Sequence, residues 1–199
     1  MIKTIAIIPA RKGSKRLPGK NTTILGDKPL IGWTIEAAIE SDKFDEIIVT
    51  TDDPRIMETA EYYNIQAKFR HPKLCGDEVT LDAVIIDALI EYPIYTVAVL
   101  LQPTTPFRDS RDIKIAVDLF YKNNQDYNVV SACWKGGISA DIKINGGIYI
   151  TPLSKLISSH KFIHETTLMY LMPKERSIDI DYIEDLNKAR EILNGKCGN

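Results

Sequence analysis

Apolar residues fall along this chain in short blocks separated by polar stretches marked with glycine or proline. Residues 2–9 (IKTIAIIP) form a β-branched run ended by proline, the pattern of a strand buried on both faces. Residues 47–51 (IIVTT) and 95–102 (YTVAVLLQ) repeat that pattern. Between the first two, Leu30, Ile31, Trp33, Thr34, Ala37 and Ala38 recur at helical spacing up to about Ser41, with Asp27 expected as the cap and Pro29 in the first turn.

Asp52-Asp53-Pro54 is expected to open a second helix reaching about Tyr63. Residues 65–69 then alternate like a strand, and 81–90 recur like a helix. Asp109 or Ser110 suits the cap of a helix to about Tyr121, and residues 128–133 and 141–150 read as further strands. This βαβαβα alternation, with strands that are apolar throughout, calls for an α/β fold: a mostly parallel sheet with helices on both faces. Ligands of such sheets lie beyond the carboxyl ends of the strands, where strand order reverses. Three loops therefore matter most: 10–21, 52–54 and 102–108.

Composition narrows the class without naming a chemistry. The chain has 199 residues, 44% hydrophobic and 26% charged, which is ordinary for one globular domain. A formal net charge of -2 points to neither nucleic acid nor an anionic membrane as a partner. No apolar window reaches a membrane span and the start resembles no secretory leader, so a cytoplasmic protein is expected. Cys75, Cys133 and Cys197 are too few and too widely spaced for a disulfide framework or a CxxC metal site.

The loop after the first strand, RKGSKRLPGKN, does carry chemistry. Arg11, Lys12, Lys15, Arg16 and Lys20 place five cations within ten positions, and Gly13 and Gly19 let backbone N–H groups approach an anion. It is not a P-loop. Five residues separate its glycines where that template has four, and Asn21 stands where a hydroxyl would follow the lysine. A loop of this kind suits a triphosphate; the plainer alternative is a solvated basic surface.

Near the other end, SIDID alternates polar and apolar residues. As a strand it would send Asp179 and Asp181 to one side, roughly 6.8 Å apart. Paired carboxylates suit magnesium, which takes one or two of them together with phosphate oxygens and water. Equally, Asp181 with Glu184 three residues on has the spacing of a helix cap. His160 and His164 stand four apart with no third ligand in view, and no nucleophile elbow or Cys–base pairing is visible.

Six stretches taken in order, IIPARKGSKRLPGKN, IIVTTDD, FRHPKLCGDEVTLDAV, LLQPTTPFR, NGGIYI and SIDIDYIEDL, resemble the CMP-sialic acid synthetases, or N-acylneuraminate cytidylyltransferases, and their relatives acting on similar acidic sugars. The likeness spans nearly the whole chain. It implies a single Rossmann-like three-layer domain over residues 1–199, a homodimer, and Mg2+-dependent transfer of CMP from CTP to an acidic nine-carbon sugar.

By the resemblance Arg11, Ser14, Lys15, Lys20 and Asn21 face the triphosphate and nucleotide, and Arg70 and Thr80 help hold the nucleotide. It makes Asp179 and Asp181 the metal pair. Gln102, Tyr149 and Phe162 match the sugar side, and Asn145 belongs to the motif that carries Tyr149. Arg11, Lys15, Lys20, Asp179 and Asp181 are then the candidate catalytic residues.

One departure stands out. The family carries a longer segment between the strands matching NVVSAC and NGGIYI, whereas here only about Trp134 to Lys143 fills it, so the dimerisation lobe around 131–150 is shortened. The usual arginine for the sugar carboxylate is lost with it, leaving Lys135 or Lys143. Ile163 also follows Phe162 where the family has an aromatic pair. Two other readings stay open: a nucleotide-binding relative with little turnover that acts as an interaction protein, and a cytidylyltransferase for 3-deoxy-manno-octulosonate.

Overall fold

The first apolar block becomes strand β1 (Thr4–Pro9), with Ile5, Ala6, Ile7 and Ile8 wholly buried. Strand side chains alternate between faces, so Ala6 and Ile8 enter one core cluster and Ile5 and Ile7 another, and the sheet is packed on both sides. The computed structural model describes residues 2–123, 127–135 and 141–196. Cys197 and residues 136–140, at the centre of the shortened segment, lie outside the described residues.

A two-stranded ribbon, β2 (Ile24–Leu25) and β3 (Lys28–Pro29), leads into α1 (Leu30–Ser41). Then come β4 (Glu46–Thr51), α2 (Pro54–Tyr62), β5 (Gln66–Phe69), α3 (Leu81–Leu89) and β6 (Val97–Leu101). The chain continues through α4 (Ser110–Lys122), β7 (Asn128–Trp134), β8 (Ile142–Pro152), α5 (Leu153–Ser159), β9 (Thr167–Leu171) and α6 (Ile183–Lys196).

The main sheet has the order β5-β4-β1-β6-β8-β7-β9, and β8 alone runs antiparallel to its neighbours. Residues of α1, α2 and α4 share the cluster of Ala6 and Ile8, while α3 and α5 pack on the side of Ile5 and Ile7. Three layers result. A smaller cluster joins α6 to Leu25, Leu30, Phe107 and Ile180, which brings the last helix down beside the loop that follows β1.

Strand order fixes where a site can form. From β1 the chain moves outward to β4 and β5, then returns past β1 to β6 on its other side, so the crevice between the carboxyl ends of β1 and β6 is the switch point.

Local signals at the helix starts hold in part. Asp53 caps α2, its Oδ1 accepting from Arg55 N at 3.1 Å, and Asp109 caps α4 in a reciprocal box with Asp112. Asp27 does not cap α1. It is exposed in the β2–β3 turn beside Gly26, whose φ of 70° opens that turn, and α1 starts instead from Pro29 with Leu30 N donating to Thr23 O at 2.9 Å. The two histidines share no helix face either. His160 ends α5 in a left-handed conformation, and His164 lies beyond it with its ring nitrogen 3.0 Å from Lys161 O.

Candidate active site

At the switch point lies a cavity of about 540 Å³. Its floor comes from the strand ends, Pro9 closing β1 and Gln102 to Thr104 following β6. One wall is the cationic loop, supplying Arg11, Ser14, Lys15, Arg16, Lys20 and Asn21. Arg70, Asp77, Leu81 and Asp181 close the others.

The loop holds its shape through bonds to itself. Asn21, nearly buried, donates from Nδ2 to Arg11 O at 3.1 Å and so ties the two ends of the loop together. Gly19 takes φ 68°, a left-handed turn that a side chain disfavours, and opens the 3₁₀ turn Lys20–Thr22. From outside, Asp52 accepts from Lys12 N at 2.7 Å, which fastens the loop to the end of β4.

The cations are spaced by acids. Asp77, in the loop before α3, bridges Arg11 Nη2 at 2.8 Å and Lys15 Nζ at 2.5 Å, and these two cations hold its carboxyl below the ordinary range. Lys20 is the most enclosed cation of this loop. Its Nζ donates to Ile180 O at 2.9 Å and Asp181 Oδ1 at 2.8 Å, while Arg16 Nη1 reaches the second oxygen of Asp181 at 2.6 Å. Partial burial works against ionisation of Asp181, but Lys20 and Arg16 outweigh it and keep the carboxyl below its usual value.

The segment 177–181 is not a strand. It enters from a 3₁₀ turn, Lys174–Arg176, and is tied to the loop after β6 by Ile180 N, which donates to Thr104 O at 2.7 Å. The alternation still sorts its side chains, since Ile178 and Ile180 go to the core cluster while Asp179 is exposed. The protein mass around Asp179 pushes its carboxyl up, the Thr104 hydroxyl opposes that, and the nearby Asp181 charge adds to it. Asp179 lines a neighbouring cavity with Lys143 rather than the one that Asp181 lines, so the pair stands at the partition between two hollows.

The capping role considered for Asp181 belongs to Asp185. Its Oδ2 accepts from Asp181 N at 3.0 Å and from Tyr182 N at 2.9 Å, closing the start of α6 and leaving the Asp181 carboxylate to the cations. Magnesium takes one or two carboxylates alongside phosphate oxygens, the chemistry that Asp179 and Asp181 would supply; among the described residues no group of three or more acids, histidines or cysteines is placed to hold a metal by itself.

The remaining candidates are more dispersed. Arg70 is buried and lines the cavity, donating from Nη2 to Thr50 O at 3.0 Å with its Nε unpartnered, and burial draws its guanidinium downward. Thr80 is exposed and caps α3, its hydroxyl accepting from Ala83 N at 3.3 Å. Tyr149 projects from β8 with its ring 6.0 Å from that of Phe162; burial raises its phenol, and the Asp179 charge adds to the rise. Phe162 is itself buried behind Tyr149. Asn145 is buried too, joining Ser131 Oγ at 2.6 Å and Ser177 Oγ at 2.9 Å, and thus braces the acidic segment from behind. These last two side chains support the wall rather than form it.

The sequence does not single out Asp77 for the site, and it shows Arg16 only as one of the five cations of the loop, with no sign of its partner. Both lie within the quoted motifs, but the contacts that give them a part there span 66 and 165 residues, and no local pattern announces such partners.

A cavity at the switch point of a mostly parallel sheet, faced by cations, is the architecture of the nucleotide-binding class of α/β proteins. The chain belongs to the cytidylyltransferase family, whose model matches residues 5–143. It is 35% identical over 221 residues to an N-acylneuraminate cytidylyltransferase of Escherichia coli O18:K1:H7, an alignment that takes in 98% of this chain and 53% of that protein. It therefore spans about half the length of that relative. A CMP-N,N'-diacetyllegionaminic acid synthase of Legionella pneumophila is 33% identical, with 90% of this chain and 91% of that protein aligned. Among solved structures, a CMP:2-keto-3-deoxy-manno-octonic acid synthetase complexed with CTP has the same fold, with a TM-score of 0.78 at 17% identity over 98% of this chain and 99% of that one.

Proposed function

We propose that the chain transfers CMP from CTP to an acidic nine-carbon sugar of the sialic acid or nonulosonic type, releasing pyrophosphate with the help of Mg2+. The observation that carries this reading is the meeting of Lys20 with Asp181. It joins the cationic turn to Asp181, one member of the candidate metal pair, across one cavity. Relatives named for the same transfer to sialic and legionaminic acids support the choice of sugar.

In this reading Arg11, Ser14, Lys15, Lys20 and Asn21 hold the triphosphate, and Arg70 and the Thr80 region hold the nucleoside. The anomeric hydroxyl of the sugar attacks the α-phosphorus. A sugar–oxygen–phosphorus bond forms, the O–H bond breaks with its proton released to water, and the bond to the β-phosphate oxygen breaks with its electron pair leaving on pyrophosphate. Negative charge grows on the leaving oxygens, where Lys20, Lys15 and Arg11 neutralise it in a partly enclosed setting. Asp179 and Asp181 would hold magnesium, which supplies charge neutralisation to phosphate and lowers the pKa of a hydroxyl beside it. The sugar lies toward Gln102 and Tyr149. No side chain is assigned as general base.

No helix among the described residues is long and apolar enough to cross a membrane, which fits a site supplied with CTP from the cytoplasm. Pairing as a homodimer belongs to the same proposal, and sedimentation tests it. For the activity, the test is pyrophosphate release from CTP and Mg2+ across a panel of acidic sugars, 3-deoxy-manno-octulosonate included. Turnover with a nine-carbon acid is expected. Turnover with the eight-carbon acid alone would reassign the acceptor, and CTP binding without turnover for any acid would reduce the chain to a binding protein.

A further inference from the structure

Beneath Gln102 lies a charge that nothing above employs. Arg108, in the loop after β6, is 1% exposed. Its Nη1 donates to two backbone carbonyls, Gly147 O at 2.9 Å and Gln102 O at 3.3 Å, while Nε and Nη2 have no partner among the described residues. No carboxylate among them lies within ion-pair distance. Burial draws the guanidinium down to about 10. Enclosing a cation this way is costly, and an apolar side chain of similar volume would fill the space at less expense.

What the two bonds achieve is positional. Gln102 O directly follows β6, and Gly147 O lies between Ile144 and Tyr149, where the pairing of β8 with β7 shifts register and the strand bends, so one guanidinium nitrogen ties the two strands beside the Gln102 carboxamide. That carboxamide rests on Gly146, where a Cβ would stand only 3.3 Å from Gln102 Oε1 and where φ is 79°. Its seat is therefore set by the spacing between the end of β6 and the bend of β8. The cationic turn that faces the triphosphate shares no bond with Arg108.

We infer that Arg108 is a positioning residue for the acceptor: by clamping the carbonyls of Gln102 and Gly147 it fixes the reach of the Gln102 side chain, and so governs use of the sugar acid rather than of CTP. This rests on the proposed function, in which Gln102 faces the sugar. Small displacements of a positioning group cost disproportionately in rate, because the bound geometry must be close to the reacting one.

The test is steady-state pyrophosphate release with the acid varied at saturating CTP, and the reverse, for wild type, Arg108→Met, Arg108→Lys, Gln102→Ala and the Gln102→Ala/Arg108→Met double variant. Arg108→Met is expected to raise KM for the acid about tenfold or more and to leave KM for CTP within about twofold. Arg108→Lys recovers part of the loss. Because Arg108 acts through Gln102, its removal costs little more in the Gln102→Ala background.

If Arg108→Met fails to fold, Gly146→Ala presses on Gln102 with Arg108 intact and is expected to give the same acceptor-selective defect. Equal rises in both KM values, or effects of Arg108→Met and Gln102→Ala that multiply, would overturn the inference while leaving the proposed function standing. A wild-type chain that turns over no acid sinks the function and the inference together.

Discussion

The Lys20 ammonium lies 2.8 Å from Asp181 Oδ1, joining side chains 161 positions apart in the sequence. Each moderates the other, since a lone enclosed ammonium or carboxylate would be costly, and in the proposed reaction phosphate and metal would replace them as partners. Lys20→Ala is accordingly expected to lower kcat/KM by about a hundredfold to a thousandfold, the scale of losing one donor to developing charge. The fold should survive, because Arg16 still pairs with Asp181 at 2.6 Å. Pyrophosphate release and titration calorimetry with CTP check this; unchanged CTP affinity would count against the loop as a triphosphate site.

Asp181 and Asp185 make a separable pair of predictions. Asp181→Ala is expected to cut turnover by about a hundredfold or more, with no excess of Mg2+ restoring it. Asp185→Ala removes the acceptor for Asp181 N and Tyr182 N. It should cost about 1 kcal/mol, a fall in Tm of roughly 2–4 °C, while most turnover remains. Thermal melts beside rate assays decide the matter, and the opposite pattern would return the capping role to Asp181.

Asp112 is fully buried and accepts from two nitrogens of Arg176, Nε at 2.8 Å and Nη2 at 2.9 Å, with Tyr170 OH donating at 2.8 Å. This knot anchors the 3₁₀ turn just ahead of Asp179 to the start of α4. Arg176→Met leaves a buried carboxylate without its main partner and is expected to cost about 3–5 kcal/mol. Denaturant unfolding measures it. A loss under about 1 kcal/mol would mean that the pair is not what holds the turn.

How much of this was legible follows from how local each signal is. The blocks IKTIAIIP, IIVTT and YTVAVLLQ announce β1, β4 and β6 because strands buried on both faces leave no polar position to confuse the pattern. The βαβ order then places the switch point, and with it the cationic loop. Asp27 was misjudged as a cap because the same residue type serves a tight turn, and only the neighbouring ribbon reveals which. SIDID leaves strand and helix cap both open because alternation reports which side is buried; it does not report whether a partner strand is at hand. Asp77 and Arg108 were missed as structural partners because their contacts are set by the sheet order and not by spacing along the chain.

Asp53 gives a prediction in pH. The Arg55 side chain pairs with its carboxylate, Nη2 to Oδ2 at 2.8 Å, and this holds the Asp53 carboxyl below its ordinary range despite burial; the Arg55 backbone N–H adds to the effect. A folded value below the unfolded one, about 3.9, means the contribution is fully present above the unfolded pKa and is lost as pH falls through the folded value. Asp53→Ala removes cap and pair together and is expected to cost about 1–2 kcal/mol at pH 7. At pH 3 the wild type has begun to lose the same contribution, so the gap between the two proteins should narrow. Thermal melts of both from pH 7 to pH 3 measure this. A gap that stays constant would show that the helix cap works without its charge.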